Sequence, residues 1–208
     1  MRVAILAFDG FNEFDCFLPL GLLNRLADLG WKAELASPSS HVTSMNGVTV
    51  QAQRALEFAN EADAVIFGGG LYARAIAENS ALLDRLQLDP LRQLIGGQGS
   101  GTLLLARLGL LGDTPACTDS ATKPWVVEAG VRVIEAPFHC RGPVATAGGG
   151  MAAQYLAAWM MLRGAGRQAA ARALAQTAPV GETAQYVDRV LAVVSPRDAA
   201  DRNRPAGS

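Results

Sequence analysis

Four short, mostly apolar runs, each stopped by a glycine turn, constrain this chain more than any other feature. They are residues 3–8 before Asp9-Gly10, 64–67 before Gly68-Gly69-Gly70, 95–98 before Gly99, and 144–147 before Gly148-Gly149-Gly150. A run without polar alternation has both faces buried, which is the pattern of a parallel sheet covered by helices. Helical spacing lies between the runs. Leu18, Leu22, Leu23 and Leu26 predict a helix over 16–29 with Gly30 as its stop, and further helical patterns fall at 100–108, 124–128, 150–162, 167–176 and 182–194. One or two short helices are expected over 80–94, around Pro90. Strands are expected at 32–36, 115–118 and 131–135, and Asn46-Gly47 between β-branched residues signals a small antiparallel hairpin insert. The reading is one α/β domain over 1–195, with a mostly parallel sheet covered on both faces and a tail at 196–208 expected to be disordered.

Charge and composition narrow the function. The chain has 208 residues, with 18 Lys and Arg against 19 Asp and Glu and no long basic run, so no nucleic-acid partner is expected. No apolar stretch approaches the roughly 20 residues of a membrane span, and residues 1–10 lack a signal-peptide pattern. The expectation is therefore a cytoplasmic protein with no membrane partner. Three widely spaced cysteines, Cys16, Cys117 and Cys140, with only two histidines fit neither a disulfide framework nor a zinc site. No metal and no cofactor is expected.

In an open α/β sheet, ligands bind beyond the carboxyl ends of the strands, which here means the turns at 9–15, 68–70, 98–101 and 148–150. The glycine triplets match neither a dinucleotide fingerprint nor a phosphate-binding loop with its lysine. They also serve simply as tight turns. The turn Gln98-Gly99-Ser100-Gly101 has the form of a nucleophile elbow, in which one residue between strand and helix projects into the site. A hydrolase serine at Ser100 is a poor fit, since only His139 follows it and the chain is short for that fold. Asp15, set among Phe11, Phe14, Phe17 and Leu18, has two readings. It caps a helix starting at Cys16, or it is a desolvated carboxyl with a raised pKa, suited to proton transfer. Trp125, Tyr155, Trp159, Met151, Met160 and Met161 read as core or subunit interface.

The runs AILAFDGFNEFDCFLPLGLLNRL, AVIFGGG, IGGQGSGTLLLARLGLL, TDSATKPWVVEAGVRV and VATAGGGMAAQYLAAWMM together resemble the ThiJ/PfpI superfamily over roughly residues 2–163. Within it the chain is most similar to the isocyanide hydratase-like branch, because Asp15 follows F-D-G-F-N-E-F where that branch carries its acid. The resemblance implies a flavodoxin-like sandwich, a homodimer and a small-molecule substrate. It places the family's nucleophilic cysteine position on Gly99 and the hydroxyl residue after it on Ser100. Asp119 falls where many members have histidine and is read as a loop anchor.

Glycine at that position forbids covalent catalysis, because the attacking group must be a thiolate. What the resemblance then implies is an isocyanide hydratase-like enzyme, turning an isocyanide into an N-formyl amine, in an inactivated or engineered form. The alternatives are a cysteine-independent acid/base catalyst, a lyase or isomerase using Asp15, and a small-molecule binding protein without turnover. The site expected in each case comprises Asp15, Gly99 and Ser100, with Gly69, Gly70 and Gly101 holding the polar end of the substrate. Cys16, Cys117 and Cys140 are expected to be packed rather than reactive.

Overall fold

Along the first strand, β1 (Arg2–Leu6), side chains alternate between two apolar layers, with Val3 and Ile5 in one and Ala4 and Leu6 in the other. That two-sided burial explains the unbroken apolar run. In the computed structural model, which describes residues 1–195, the chain continues through α1 (Glu13–Leu23), β2 (Lys32–Ser37), β3 (His41–Thr43), β4 (Thr49–Gln51), β5 (Arg54–Ala55) and α2 (Phe58–Glu61). Next come β6 (Ala64–Phe67), α3 (Ala73–Glu78), α4 (Ser80–Leu83), β7 (Leu94–Gln98), α5 (Gly101–Arg107) and α6 (Lys123–Glu128). The order closes with β8 (Phe138–Arg141), β9 (Val144–Ala147), α7 (Ala153–Ala175) and α8 (Thr183–Val194). The expected tail at 196–208 lies outside the described residues.

Seven strands form one sheet in the order β5-β2-β1-β6-β7-β9-β8, parallel throughout except for the β8–β9 pair. This is the flavodoxin-like sandwich expected from the sequence, with helices on both faces. Leu22, Leu23, Leu156, Trp159, Met160 and Leu191 cover one face, and Leu56, Leu104, Leu105 and Val126 the other. Parallel pairing brings the ends of β1, β6, β7 and β9 to one edge of the sheet, so their glycine turns converge. The hairpin β3–β4 forms a separate two-stranded sheet beside that edge. Its loop is fixed to α1, where the Glu13 carboxylate accepts from Ser44 Oγ at 2.5 Å and Asn46 Nδ2 at 2.9 Å.

Several elements differ from the sequence reading. The segments at 115–118 and 131–135 meet in a single parallel bridge, Ala116 to Val133, and are not strands of the sheet. The Cys117 N–H donates instead to Thr146 Oγ1 of β9 at 2.8 Å. The edge strand is β8, which had no apolar signal, and it reaches β9 through Gly142-Pro143, where Gly142 has φ +60°. The first helix starts at Glu13, three residues before its expected start, because Asn12 Oδ1 accepts the Phe14 N–H at 3.0 Å. It passes into a 3-10 turn, Asn24–Leu29, stopped by Gly30 at φ +75°. The helical patterns at 150–162 and 167–176 are parts of α7, kinked at Gly166, φ +84° and ψ 170°.

Candidate active site

Because Asn12 caps α1, Asp15 lies inside the first helical turn and its carboxyl is free to turn inward. The capping role offered by the sequence is therefore not the one it has. Its side chain reaches the end of β6, where Oδ2 accepts the Gly69 N–H at 3.2 Å, and the end of β7, where Gln98 Nε2 lies 3.4 Å from Oδ1. Only 3% of the residue is exposed. Gly69 makes the approach possible, since a carbon added to it would stand 2.5 Å from Asp15 Oδ2 and 2.8 Å from Ser100 Oγ. Burial pushes the Asp15 carboxyl up to about 7. The hydrogen bonds from Gln98 and Gly69 pull the other way, and the charge of Asp119 adds to the rise.

The elbow lies across from it. Gly99 follows β7 with φ +51°, in the left-handed region, and its N–H donates to Ala147 O at 2.8 Å while its carbonyl accepts from Thr118 Oγ1 at 2.9 Å. A carbon built on Gly99 would stand 3.0 Å from Asp15 Oδ2 and 3.5 Å from Asp119 Oδ2. Any side chain here would thus project between two carboxyl groups. Ser100 Oγ accepts the Gly70 N–H at 2.8 Å and donates to the Gly70 carbonyl at 3.2 Å, tying the loop after β6 to the elbow.

These residues open into a cleft of about 300 Å³ whose lining includes Asn12, Asp15, Met45, Gly70, Leu71, Gly99, Ser100, Asp119, Thr122 and Trp125. The structure brings Asp15, Gly99, Ser100 and Gly70 together there. It places Gly69 behind the Asp15 carboxyl and Gly101 against the backbone carbonyl of Phe67, and neither lines the cleft. Their absence of a side chain serves packing: one admits the carboxyl, the other lets α5 meet β6. Trp125, read as core or interface, forms part of the cleft wall, with the Arg74 guanidinium 5.6 Å from its ring. Asp119 does anchor a loop, accepting from the Thr122 N–H and Oγ1 at 2.9 Å each, but it also faces Gly99. The sequence signal for that was the helix start around Pro124, five residues on, which needs an acceptor before it.

No thiol replaces the missing one. Among the described residues, Cys16 and Cys117 are buried and Cys140 half-buried, and none lines the cleft. Desolvation raises all three thiols: Cys16 well above its ordinary value, Cys117 to about 11, and Cys140 in the same direction. Among the described residues no group of three His, Cys, Asp or Glu side chains could hold a metal ion, and no helix is long and apolar enough to cross a membrane.

Comparison with known proteins identifies the family and the fold. The family described as DJ-1/PfpI matches residues 1–162. Schizosaccharomyces pombe DJ-1 superposes with a TM-score of 0.74 at 17% identity, covering 86% of this chain and 100% of its own. A ThiJ/PfpI family protein from Pseudomonas syringae gives 0.76 at 18% identity, covering 93% and 90%. Oxidized Toxoplasma gondii DJ-1 gives 0.70 at 20%, covering 85% and 97%. At these identities the likeness is one of fold. No curated protein matches the chain.

Proposed function

The chain belongs to the DJ-1/PfpI family, and from that premise we propose that it is an isocyanide hydratase-like enzyme that works by proton transfer, without a covalent intermediate. One observation carries the reading: a carboxyl pushed up to about 7 lies beside the elbow glycine, 3.0 Å from the point where the first carbon of a nucleophilic side chain would stand. Near neutral pH such a group is present in both protonation states, so it gives and takes a proton without a large penalty in either direction.

Hydration of an isocyanide needs this. The Asp15 proton passes to the terminal carbon, the oxygen of a water bonds to the same carbon, and the water gives up a proton. The resulting imidic acid then moves its hydroxyl proton to nitrogen, which yields the N-formyl amine. The cleft suits a neutral substrate, since its lining includes no Lys, Arg or His, and Met45, Leu71 and Trp125 offer apolar surface to an alkyl or aryl group. Ser100 positions the Gly70 backbone rather than acting on the substrate, because its hydroxyl is engaged twice by Gly70.

The same reading includes a homodimer in the cytoplasm. Phe14 and Met151, 59% and 63% exposed, supply apolar surface beside the cleft that a second copy would cover. The test is to incubate the protein with a panel of alkyl and aryl isocyanides and follow the N-formyl amine by mass spectrometry. Turnover that falls about 100-fold or more in Asp15→Asn is the expected result. Turnover unaffected by Asp15→Asn, or no turnover of any isocyanide, refutes it.

A further inference from the structure

We infer that Asp119 is the second proton-transfer group of this site, the base that receives the proton of the water adding to the substrate. The inference rests on the proposed hydration and adds to it a residue whose evident role is to hold a loop. Asp15 and Asp119 come from opposite sides, one on α1 and the other on the loop before α6, and both line the cleft. Their Oδ2 atoms stand 3.0 and 3.5 Å from the same point, one bond out from Gly99. That point is a bond length from Gly99 Cα, so no free molecule sits on it; the distances show that both carboxyls face the space just beyond it, where the cleft would hold the water and the isocyanide carbon. The Thr122 N–H and hydroxyl hold the Asp119 carboxylate in place, so it is oriented before a substrate arrives.

The proton inventory closes with these two groups. Asp15 gives its proton to the isocyanide carbon, the water oxygen bonds to that carbon, and the water proton goes to Asp119. In the second step the hydroxyl proton of the imidic acid passes to Asp15 while Asp119 gives its proton to the nitrogen. Both carboxyls are thereby returned to their starting states, and no outside acid, base or oxidant is used.

Asp119→Asn tests this while keeping an acceptor for the Thr122 N–H and a donor for its hydroxyl. The expected result is a fall in kcat of about 100-fold with KM changed less than about threefold. The limb of the pH–rate profile due to Asp15 should also move to lower pH, because a neighbouring negative charge has been removed. If Asp15→Asn abolishes turnover but Asp119→Asn retains full kcat, this inference fails and the proposed function stands.

A second arm needs no turnover. In Gly99→Cys the new thiol would project between the two carboxyls, so Asp119 should hold back its ionisation. Adding Asp119→Asn should raise the rate of alkylation by iodoacetamide at pH 7 about tenfold. Should the parent protein hydrate no isocyanide, the proposed function falls, and a tenfold rise still supports Asp119 as the group facing the reaction point. Equal rates in the single and double variants overturn the inference.

Discussion

Replacing Asp15 by asparagine should stabilise the protein above neutral pH and change it little in acid. The native carboxyl titrates at about 7, whereas in the unfolded chain it has the ordinary aspartate value of about 3.9. Below the lower value both states hold the proton, and the group's contribution to stability is fully present. As pH rises from there, the unfolded chain releases its proton while the native state keeps it. Stability therefore falls by about 1.4 kcal/mol for each pH unit until the native carboxyl ionises near 7. The whole window is worth about 4 kcal/mol, and the part between pH 5 and 8.5 about 2–3 kcal/mol. Asparagine has no such dependence. It cannot accept from both Gly69 and Gln98, which costs about 1 kcal/mol at every pH. Urea unfolding of parent and variant, followed by tryptophan fluorescence from pH 5 to 8.5, gives the difference directly. The variant should begin level with the parent or slightly above it and end well above it. A difference that stays constant to within about 0.5 kcal/mol would show that the carboxyl is solvated in the native state and that the basis for its chemistry is absent.

Two glycines of the elbow should respond unequally to a side chain. Gly101→Ala drives a Cβ into the Phe67 carbonyl, a contact with rigid backbone, and should cost about 3 kcal/mol or more or prevent folding, read as loss of soluble protein or a large drop in Tm. Gly99→Cys places its Cβ in the cleft, 3.0 Å from Asp15 Oδ2, a tight contact that a small shift of the carboxyl relieves, and should cost chiefly the left-handed backbone penalty of about 1–2 kcal/mol, roughly 3–6 °C in Tm. Its thiol should be alkylated faster than Cys16, Cys117 and Cys140, all of which burial holds above their ordinary values. A thiol at 99 that reacts no faster than these three would mean that the residue does not project into the cleft.

The parallel centre of the fold was legible because four of its strands carry the same signal: a short, mostly apolar run that ends in a glycine turn. β8 was not, since Phe138-His139-Cys140-Arg141 is an edge strand paired on one side only, and an edge needs no apolar run. The segments around Ala116 and Val133 have strand-like composition but end as a single bridge, because the Cys117 backbone is tied to the Thr146 side chain. Within the site, Asp15 and the elbow could be placed from local pattern. Asp119 could not be brought to Gly99 that way, since their approach depends on how the loop before α6 crosses the sheet edge. Trp125 was read only in part: it packs against the core as expected and also lines the cleft, and helical spacing identifies the apolar side of a short helix but not whether that side reaches a cleft as well.

The left-handed backbone at Gly99 also bears on how such a site changes over generations. Every cysteine codon is a single base substitution from a glycine codon, so the step from a form with the nucleophile to one without it is short. The geometry makes the step unequal in its two directions. Toward glycine, the φ of +51° loses its steric penalty and the fold gains stability, so that change persists under drift. Toward cysteine, the fold loses stability, so the change persists only where selection rewards the thiol. Lineages of this fold should therefore lose the nucleophile more readily than they acquire it, while keeping the surrounding cleft available for other chemistry.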